Sequence, residues 1–258
     1  MMEKIKALWQ KKGARIAIIV SASVLLLAII LGAVALIMAN GARDADGDAL
    51  AEFEKKYGLI TPEEKDGYAV YHYSTESDGM KRGFIFYPDS MTSARAYAPL
   101  MTLMAKKGIT CYVVEPMLNQ PAMSVSDAEK IVNENPEVEE WYLGGHGKGG
   151  TAAAEAAARD SERYSGLILF AAYSKVDLSD TALRAYTLYG SEDGITDIDA
   201  LIDAREKLPE GSEDYEIVGC NYSGFAMYGV VSGDGKATVE NARQVMIAAQ
   251  RAASFILD

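Results

Sequence analysis

The chain has 258 residues, of which 49% are hydrophobic and 24% are charged, and its formal net charge is −12. This length suits one domain of about 190 to 200 residues with an additional segment. The acidic balance argues against nucleic acid and anionic lipid surfaces as partners. Two cysteines are too few to define a disulfide framework.

Residues 16–38 are apolar and carry no charge. As a helix they extend about 34 Å, enough to cross a hydrocarbon core of about 30 Å, so we predict a transmembrane helix. A cleaved signal peptide is the alternative, but its apolar core is usually about 7 to 15 residues long. The sequence Ala39-Asn40-Gly41 also matches a cleavage site only weakly.

Residues 1–15 form a basic tail with five Lys or Arg and one Glu. They contribute +4 to the total of −12, so the remaining chain carries −16. Beyond the apolar run, Arg43 is followed by Asp44, Asp46 and Asp48. Because positive flanks stay in the cytoplasm, we expect a single-pass plasma-membrane protein with a cytoplasmic N-terminus and an extracytoplasmic domain.

Residues 39–66 are interpreted as a mobile tether that contains one short helix. Leu50, Phe53 and Tyr57 have helical spacing within residues 48–57, and Gly58 ends the pattern. We expect this helix to pack on the domain.

Residues 67–258 alternate between strand and helix patterns. Strands are predicted near 68–75, 83–88, 110–115, 138–143, 166–171, 184–189 and 214–218, and helices near 93–107, 125–134, 149–160, 197–207 and 239–256. This alternation predicts an α/β fold with a doubly wound, mostly parallel sheet and functional groups at the carboxyl ends of its strands.

The turn after the strand near 138–143 reads Leu143-Gly144-Gly145-His146-Gly147-Lys148-Gly149-Gly150, and an alanine-rich helix follows it. Serine hydrolases place a nucleophile at such a turn in the pattern G-x-S-x-G, and Gly147 occupies the serine position. The same glycine-rich turn beside Lys148 is also suited to hold a carboxylate or phosphate group at a helix N-terminus.

Further landmarks follow in order along the chain, and they are residues 83–88, 96–100, 166–174, 188–194 and 219–225. With the turn at Gly147, residues 65–258 resemble small bacterial alpha/beta hydrolases of the esterase-like and dienelactone-hydrolase-like kind. The resemblance implies the alpha/beta-hydrolase fold, no cofactor and no metal. It also implies a serine at position 147, an acid at Asp193 and a histidine base at position 222.

The chain departs from this pattern at three places. Gly147 has no side chain to attack a carbonyl, and the Tyr222 phenol, with an ordinary pKa near 10, is a poor proton acceptor. The family tends to place a Gly-Gly pair where this chain has Asp89 and Ser90, and a carboxylate there would repel an oxyanion.

The two histidines of the chain, His72 and His146, both precede Asp193, so neither supplies a base in the order nucleophile, acid, base. His72 lies in an early strand pattern and is interpreted as a surface or edge residue. His146 comes directly before the nucleophile position, where the resemblance implies a packing role.

Three other side chains are candidates for a reactive role. Cys111 lies in a buried strand pattern and is interpreted as a small hydrophobe. Cys220 precedes position 222 by two residues, but no histidine is adjacent to activate its thiol. Lys148 is expected to remain charged in solvent at the start of a helix. Whether Cys111 and Cys220 pair is left open.

We therefore favour a membrane-anchored hydrolase-fold protein that has lost catalysis and binds a small ligand or a protein partner. The alternatives are an active hydrolase of small acyl esters or amides and an enzyme with a non-serine mechanism. The latter would use Asp193, Tyr222, Lys148 or Cys220. An open cleft at Gly147 would favour a ligand, and a filled one would favour a protein partner.

Overall fold

The computed structural model describes residues 12–73 and 81–258. The chain divides into one unit that ends at Gly41 and a second unit over Ala42–Asp258. Most of the basic tail, and the end of the strand predicted over 68–75, lie outside the described residues.

Helix α1, Lys12–Asn40, is one continuous helix that contains the whole apolar run. Its stretch Arg15–Asn40 has 26 residues, about 39 Å of helix, and none of its most apolar part is buried. Leu25, Leu26 and Ile29 are each more than half exposed. This helix has the length and composition of a membrane span, although a signal sequence near the N-terminus has the same properties.

Within the described residues, the second unit contains one eight-stranded sheet in the order β1-β2-β4-β3-β5-β6-β7-β8. The strands are β1 Glu63–Lys65, β2 Tyr68–Tyr71, β3 Arg82–Tyr87, β4 Ile109–Val114, β5 Glu140–His146, β6 Gly166–Phe170, β7 Arg184–Gly190 and β8 Glu213–Ile217. β1 and β2 pair antiparallel, as do β2 and β4, and the pairs from β4 to β8 are parallel. The predicted fold class is confirmed.

Helices cover both faces of the sheet because successive side chains of each central strand point to opposite sides. The helices are α2 Gly47–Tyr57, α3 Ala98–Ala105, α4 Asp127–Glu134, α5 Lys148–Arg159, α6 Ile198–Asp203 and α7 Asn241–Leu257. In β3, Phe84 and Phe86 join the core beneath α2, α3 and α7. Ile85 and Tyr87 join the core beneath α4 and α5.

The segment interpreted as a tether is part of the second unit from Ala42 onward. Leu50 and Phe53 of α2 are buried in the core, and β1 adds three residues to the edge of the sheet. Residues 42–66 are therefore packed on the domain rather than forming a mobile linker. β1 escapes a pattern search because its three residues are all exposed and charged.

Several predicted elements have different bounds, and for two of them the local reason is clear. The helix predicted over 93–107 is divided into a 3₁₀ turn, Ala94–Tyr97, and α3, with Pro99 in the first turn of α3. β5 continues to His146 because Gly145 pairs with Tyr87 on one side and with Leu169 on the other. The residues of the candidate site lie on the loops that follow β3, β5, β7 and β8.

Candidate functional site

The turn from β5 into α5 has the backbone geometry of an elbow. Gly147 adopts φ 54° and ψ −120°, a conformation that residues with side chains rarely take. Its N–H donates to the carbonyl oxygen of Phe170 at 3.0 Å, which ties the turn to β6. The structure thus retains a strand-to-helix elbow without the side chain that such an elbow presents in a hydrolase.

Two side chains fill the space in which a side chain of residue 147 would lie. A Cβ atom on Gly147 would overlap the Tyr222 hydroxyl and would lie 2.7 Å from Asp89 Oδ1. Tyr222, on the loop after β8, is 5% exposed, and Asp89, on the loop after β3, is 6% exposed. Both groups crowd the point where that Cβ would lie, so the Asp89 carboxylate is a close neighbour of the Tyr222 hydroxyl. The site is therefore filled at the nucleophile position.

Asp89 also accepts a hydrogen bond from the backbone N–H of the residue that follows the elbow glycine. The backbone N–H of Lys148 donates to Asp89 Oδ1 at 3.0 Å. In hydrolases with a nucleophile elbow, the N–H after the nucleophile is one of the oxyanion donors. In this chain the corresponding N–H is engaged by the Asp89 carboxylate.

Arg43 neutralises the buried carboxylate and was not anticipated from the sequence. Its guanidinium is 3.0 Å from Asp89 Oδ2 and also donates to the Ser90 carbonyl oxygen at 3.0 Å and to Thr92 Oγ1 at 2.7 Å. The same group lies 4.9 Å from the centre of the Tyr228 ring. The sequence presents Arg43 only as a charge that flanks the apolar run, and no local motif connects it with Asp89.

His146 is completely buried beneath the elbow. Its Nδ1 is 2.9 Å from the Tyr97 hydroxyl, and its ring centre is 4.2 Å from that of Tyr222. Burial lowers the pKa of His146 to about 4, against an opposing effect of Asp89. The imidazole is therefore neutral near pH 7 and packs in the core.

Tyr222, at the base position, is buried beside a carboxylate. Burial, and then the nearby Asp89 carboxylate, raise the pKa of its phenol far above the ordinary value. The hydroxyl therefore keeps its proton at neutral pH and cannot accept one from a nucleophile.

Asp193 lies in the turn after β7 and stabilises that turn. Its Oδ1 accepts from the backbone N–H groups of Ile195 and Thr196, both at 2.8 Å, and its Oδ2 accepts from the Thr196 hydroxyl at 2.7 Å. Burial raises the pKa of Asp193. Its hydrogen bonds within the turn give it a local structural role.

Asp234 connects the acid loop with the loop that carries Tyr222, and sequence reasoning missed it. It accepts from Gly194 N–H at 3.1 Å, from Ser223 N–H at 2.8 Å and from the Ser223 hydroxyl at 2.6 Å. The sequence around Asp234 carries no motif that separates it from an ordinary loop aspartate.

The remaining candidates lie apart from the elbow chemistry. The Ser90 hydroxyl donates to Gln120 Oε1 at 3.2 Å, and Lys148 is exposed. Cys111 and Cys220 are buried and free, so they do not pair, and burial raises the pKa of Cys220 to about 11. Over residues 12–73 and 81–258, no cluster of three His, Cys, Asp or Glu is arranged to hold a metal ion.

A cavity of about 500 Å³ lies beside the loop that carries Tyr222. Its apolar lining includes Ala49, Met227, Val230 and Val239, and its polar lining includes Asn221, Ser223, Asp234 and Lys236. The cavity therefore borders the base position without including the elbow residue.

The model of the alpha/beta hydrolase family matches residues 83–246. Among solved structures, the predicted CIB-like hydrolase from Thermoplasma acidophilum aligns with a TM-score of 0.56 at 12% identity, covering 76% of this chain and 98% of that one. Est1E from Butyrivibrio proteoclasticus aligns with a TM-score of 0.56 at 10% identity, covering 77% and 98%.

An alpha/beta hydrolase enzyme from the metagenome of lagoon sediments at Mar Chica, Morocco, aligns with a TM-score of 0.53 at 13% identity, covering 64% of this chain and 90% of that one. These identities establish a shared fold and carry no substrate to this chain. No curated protein matches the chain.

Proposed function

We propose, since the chain belongs to the alpha/beta hydrolase family, that it is a catalytically degenerate, membrane-anchored member that binds a small ligand or a protein partner. One observation carries the proposal. The Tyr222 hydroxyl and the Asp89 carboxylate fill the nucleophile position, and Asp89 accepts the oxyanion-donating N–H of Lys148. Substrate and transition state have no place at this elbow.

Each step of ester hydrolysis lacks the chemical group that would perform it: the nucleophile, the base and the oxyanion donor. Gly147 offers no nucleophile, and the raised pKa of Tyr222 prevents it from acting as a base. The Lys148 N–H is engaged by Asp89. The loss of a single oxyanion donor typically costs about 100- to 1000-fold in rate, and here that loss adds to the absence of nucleophile and base.

The alternative mechanisms have weaker support from the same residues. With a pKa of about 11 and a buried side chain, Cys220 is a protonated thiol at neutral pH. Lys148 is exposed to solvent rather than enclosed in a site. Asp193 is engaged by its own turn. His146 lies under the Tyr222 ring with Nδ1 beside Tyr97.

The filled elbow favours a protein partner over a ligand at the nucleophile position itself. A small ligand has a separate candidate place in the cavity beside the Tyr222 loop. Its volume of about 500 Å³ falls in the range of small-molecule sites, about 300 to 1000 Å³. Its lining combines apolar side chains with a few polar groups, which is typical of such sites.

The activity test uses the full chain in a mild detergent, with p-nitrophenyl acetate as substrate and a fluorophosphonate as label. We expect no turnover above background and no label at the elbow. Gly147→Ser alone recovers little, because its Cβ meets the Tyr222 hydroxyl. Adding Tyr222→His supplies both room and a base, and Asp89→Gly then frees the Lys148 N–H.

The opposite result is also informative. Robust turnover by the unmodified chain that Cys220→Ala or Lys148→Ala abolishes would replace this proposal with a non-serine mechanism. If Gly147→Ser alone restored full activity, without a change at position 222, the roles given to Tyr222 and Asp89 would also be contradicted.

For the membrane, we propose that α1 anchors the chain in the plasma membrane with its N-terminus in the cytoplasm. The basic tail and the charge-free run support this orientation. Protease added to intact cells is expected to remove the domain. Digestion only after lysis would reverse the orientation, and a mature protein that begins near residue 40 would identify a cleaved signal sequence.

A further inference from the structure

Arg43 lies in the segment that leaves α1, three residues after Asn40. Its backbone, like its side chain, forms hydrogen bonds to the loop after β3. The Arg43 N–H donates to the Met91 carbonyl oxygen at 2.7 Å, and the Arg43 carbonyl oxygen accepts from the Ser93 N–H at 3.0 Å. The start of the second unit is therefore attached to the loop that carries Asp89.

The carboxylate of Asp89 connects this segment with the elbow. Its Oδ1 accepts from the Lys148 N–H, and its Oδ2 contacts Arg43, both at 3.0 Å. The Asp89 side chain is only 8% exposed, whereas that of Arg43 is 33% exposed. A carboxylate this deeply buried is costly without its guanidinium, so the two groups depend on each other.

The elbow leaves no spare room around Asp89. A Cβ on residue 147 would lie 2.7 Å from Asp89 Oδ1 and would overlap the Tyr222 hydroxyl. Any group that enters this space, or that takes the Lys148 N–H, must displace the carboxylate. Displacement of the carboxylate removes the charged partner of Arg43 and leaves only its neutral acceptors, the Ser90 carbonyl and the Thr92 hydroxyl.

We propose that Arg43 and Asp89 form a clasp that couples the elbow to the segment following α1. While the elbow is closed, Arg43 is bound and residues 42–46 are ordered. When a side chain or a ligand opens the elbow, Arg43 loses its ion pair and residues 42–46 open more often. This coupling goes beyond the proposed function, because it concerns the regulation of the segment and does not depend on whether the site turns over a substrate.

The test uses tryptic cleavage after Arg43 in the full chain in a mild detergent, because trypsin must take up the Arg43 side chain. Asp89→Asn removes the charge at nearly constant size, and we expect cleavage to accelerate about tenfold or more. Gly147→Ala is expected to accelerate the same cleavage from the elbow side. The matched control is Asp66→Asn, which breaks the exposed ion pair with Lys130 and leaves the rate unchanged.

Cleavage after Arg82, in central strand β3, reports unfolding of the whole domain. The clasp is refuted if either variant cleaves after Arg43 at the wild-type rate. It is also refuted if cleavage after Arg43 and after Arg82 accelerates equally, since the opening is then global. Hydrogen exchange at the Arg43 and Ser93 amides gives an independent measurement with the same expected direction. Ester turnover by the unmodified chain would contradict the proposed function and leave this result unaffected.

Discussion

Lowering the pH from 7 to 5 is expected to destabilise the domain through one side chain, His146. Its pKa in the folded state is about 4, below the ordinary value of 6.5, because the imidazole is buried. Between these two values the unfolded chain binds a proton that the folded chain excludes. The stabilisation is therefore complete above pH 6.5 and is lost as the pH falls toward 4.

The size of this effect follows from the two pKa values. With 6.5 in the unfolded chain and about 4 in the fold, the loss between pH 7 and pH 5 is about 2 kcal/mol. Domains of this kind have an unfolding free energy of about 5 to 15 kcal/mol, so the change is measurable.

The assay is urea unfolding of the full chain in detergent, followed by tryptophan fluorescence at pH 7, 6 and 5. The comparison variant is His146→Gln, whose amide offers both a donor and an acceptor to the Tyr97 hydroxyl and does not titrate. Its loss of stability between pH 7 and 5 should be smaller than that of the wild type by about 2 kcal/mol. His72→Gln is the control, because His72 is exposed. Equal pH dependence in His146→Gln and the wild type would refute the argument.

Three further outcomes are expected. Cys111 and Cys220 are both buried and free, so a thiol reagent should modify neither in the folded chain and both after denaturation, and rapid native modification would contradict their burial. Ala49→Trp should fill the cavity and reduce the fluorescence enhancement of 8-anilinonaphthalene-1-sulfonate at least about twofold, whereas Ala51→Trp on the exposed side of α2 should not. Gly149→Ala should destabilise the domain by about 2 kcal/mol in urea, because its Cβ would overlap two backbone carbonyl oxygens, and Gly47→Ala, with open space around it, should not.

The central strands and helices could be predicted because their signals are local. Apolar strand patterns, the glycine-rich turn and the alanine-rich helix gave α5 to within one residue of its observed start. β1 lacked such a signal, since its exposed Glu and Lys residues resemble a loop and only pairing with β2 makes it a strand.

The candidate site could be predicted in its positions but not in its contacts. The resemblance identified Gly147, Tyr222 and Asp89 one at a time, as separate departures from a pattern. Tyr222 and Asp89 occupy the space of the missing side chain because three loops meet in the fold, and the sequence does not show that meeting. Arg43 and Asp234 lie in distant segments without motifs. The ion pair of Arg43 with Asp89 and the hydrogen bonds of Asp234 with Ser223 can therefore be seen only in the folded structure.

The carboxylate of Asp89 and the phenol of Tyr222 occupy the elbow as a ligand would, but they are covalently part of the chain. A free ligand at a concentration one hundred times its Kd would stabilise a domain by about 2.7 kcal/mol, and that gain disappears on dilution. Here the occupying groups are part of the chain, so their contribution is independent of concentration. An enzyme must keep its reactive groups apart and ready for substrate, at a cost in stability. Under the proposed function this elbow is free of that requirement, which leaves the domain a wider margin for substitutions elsewhere.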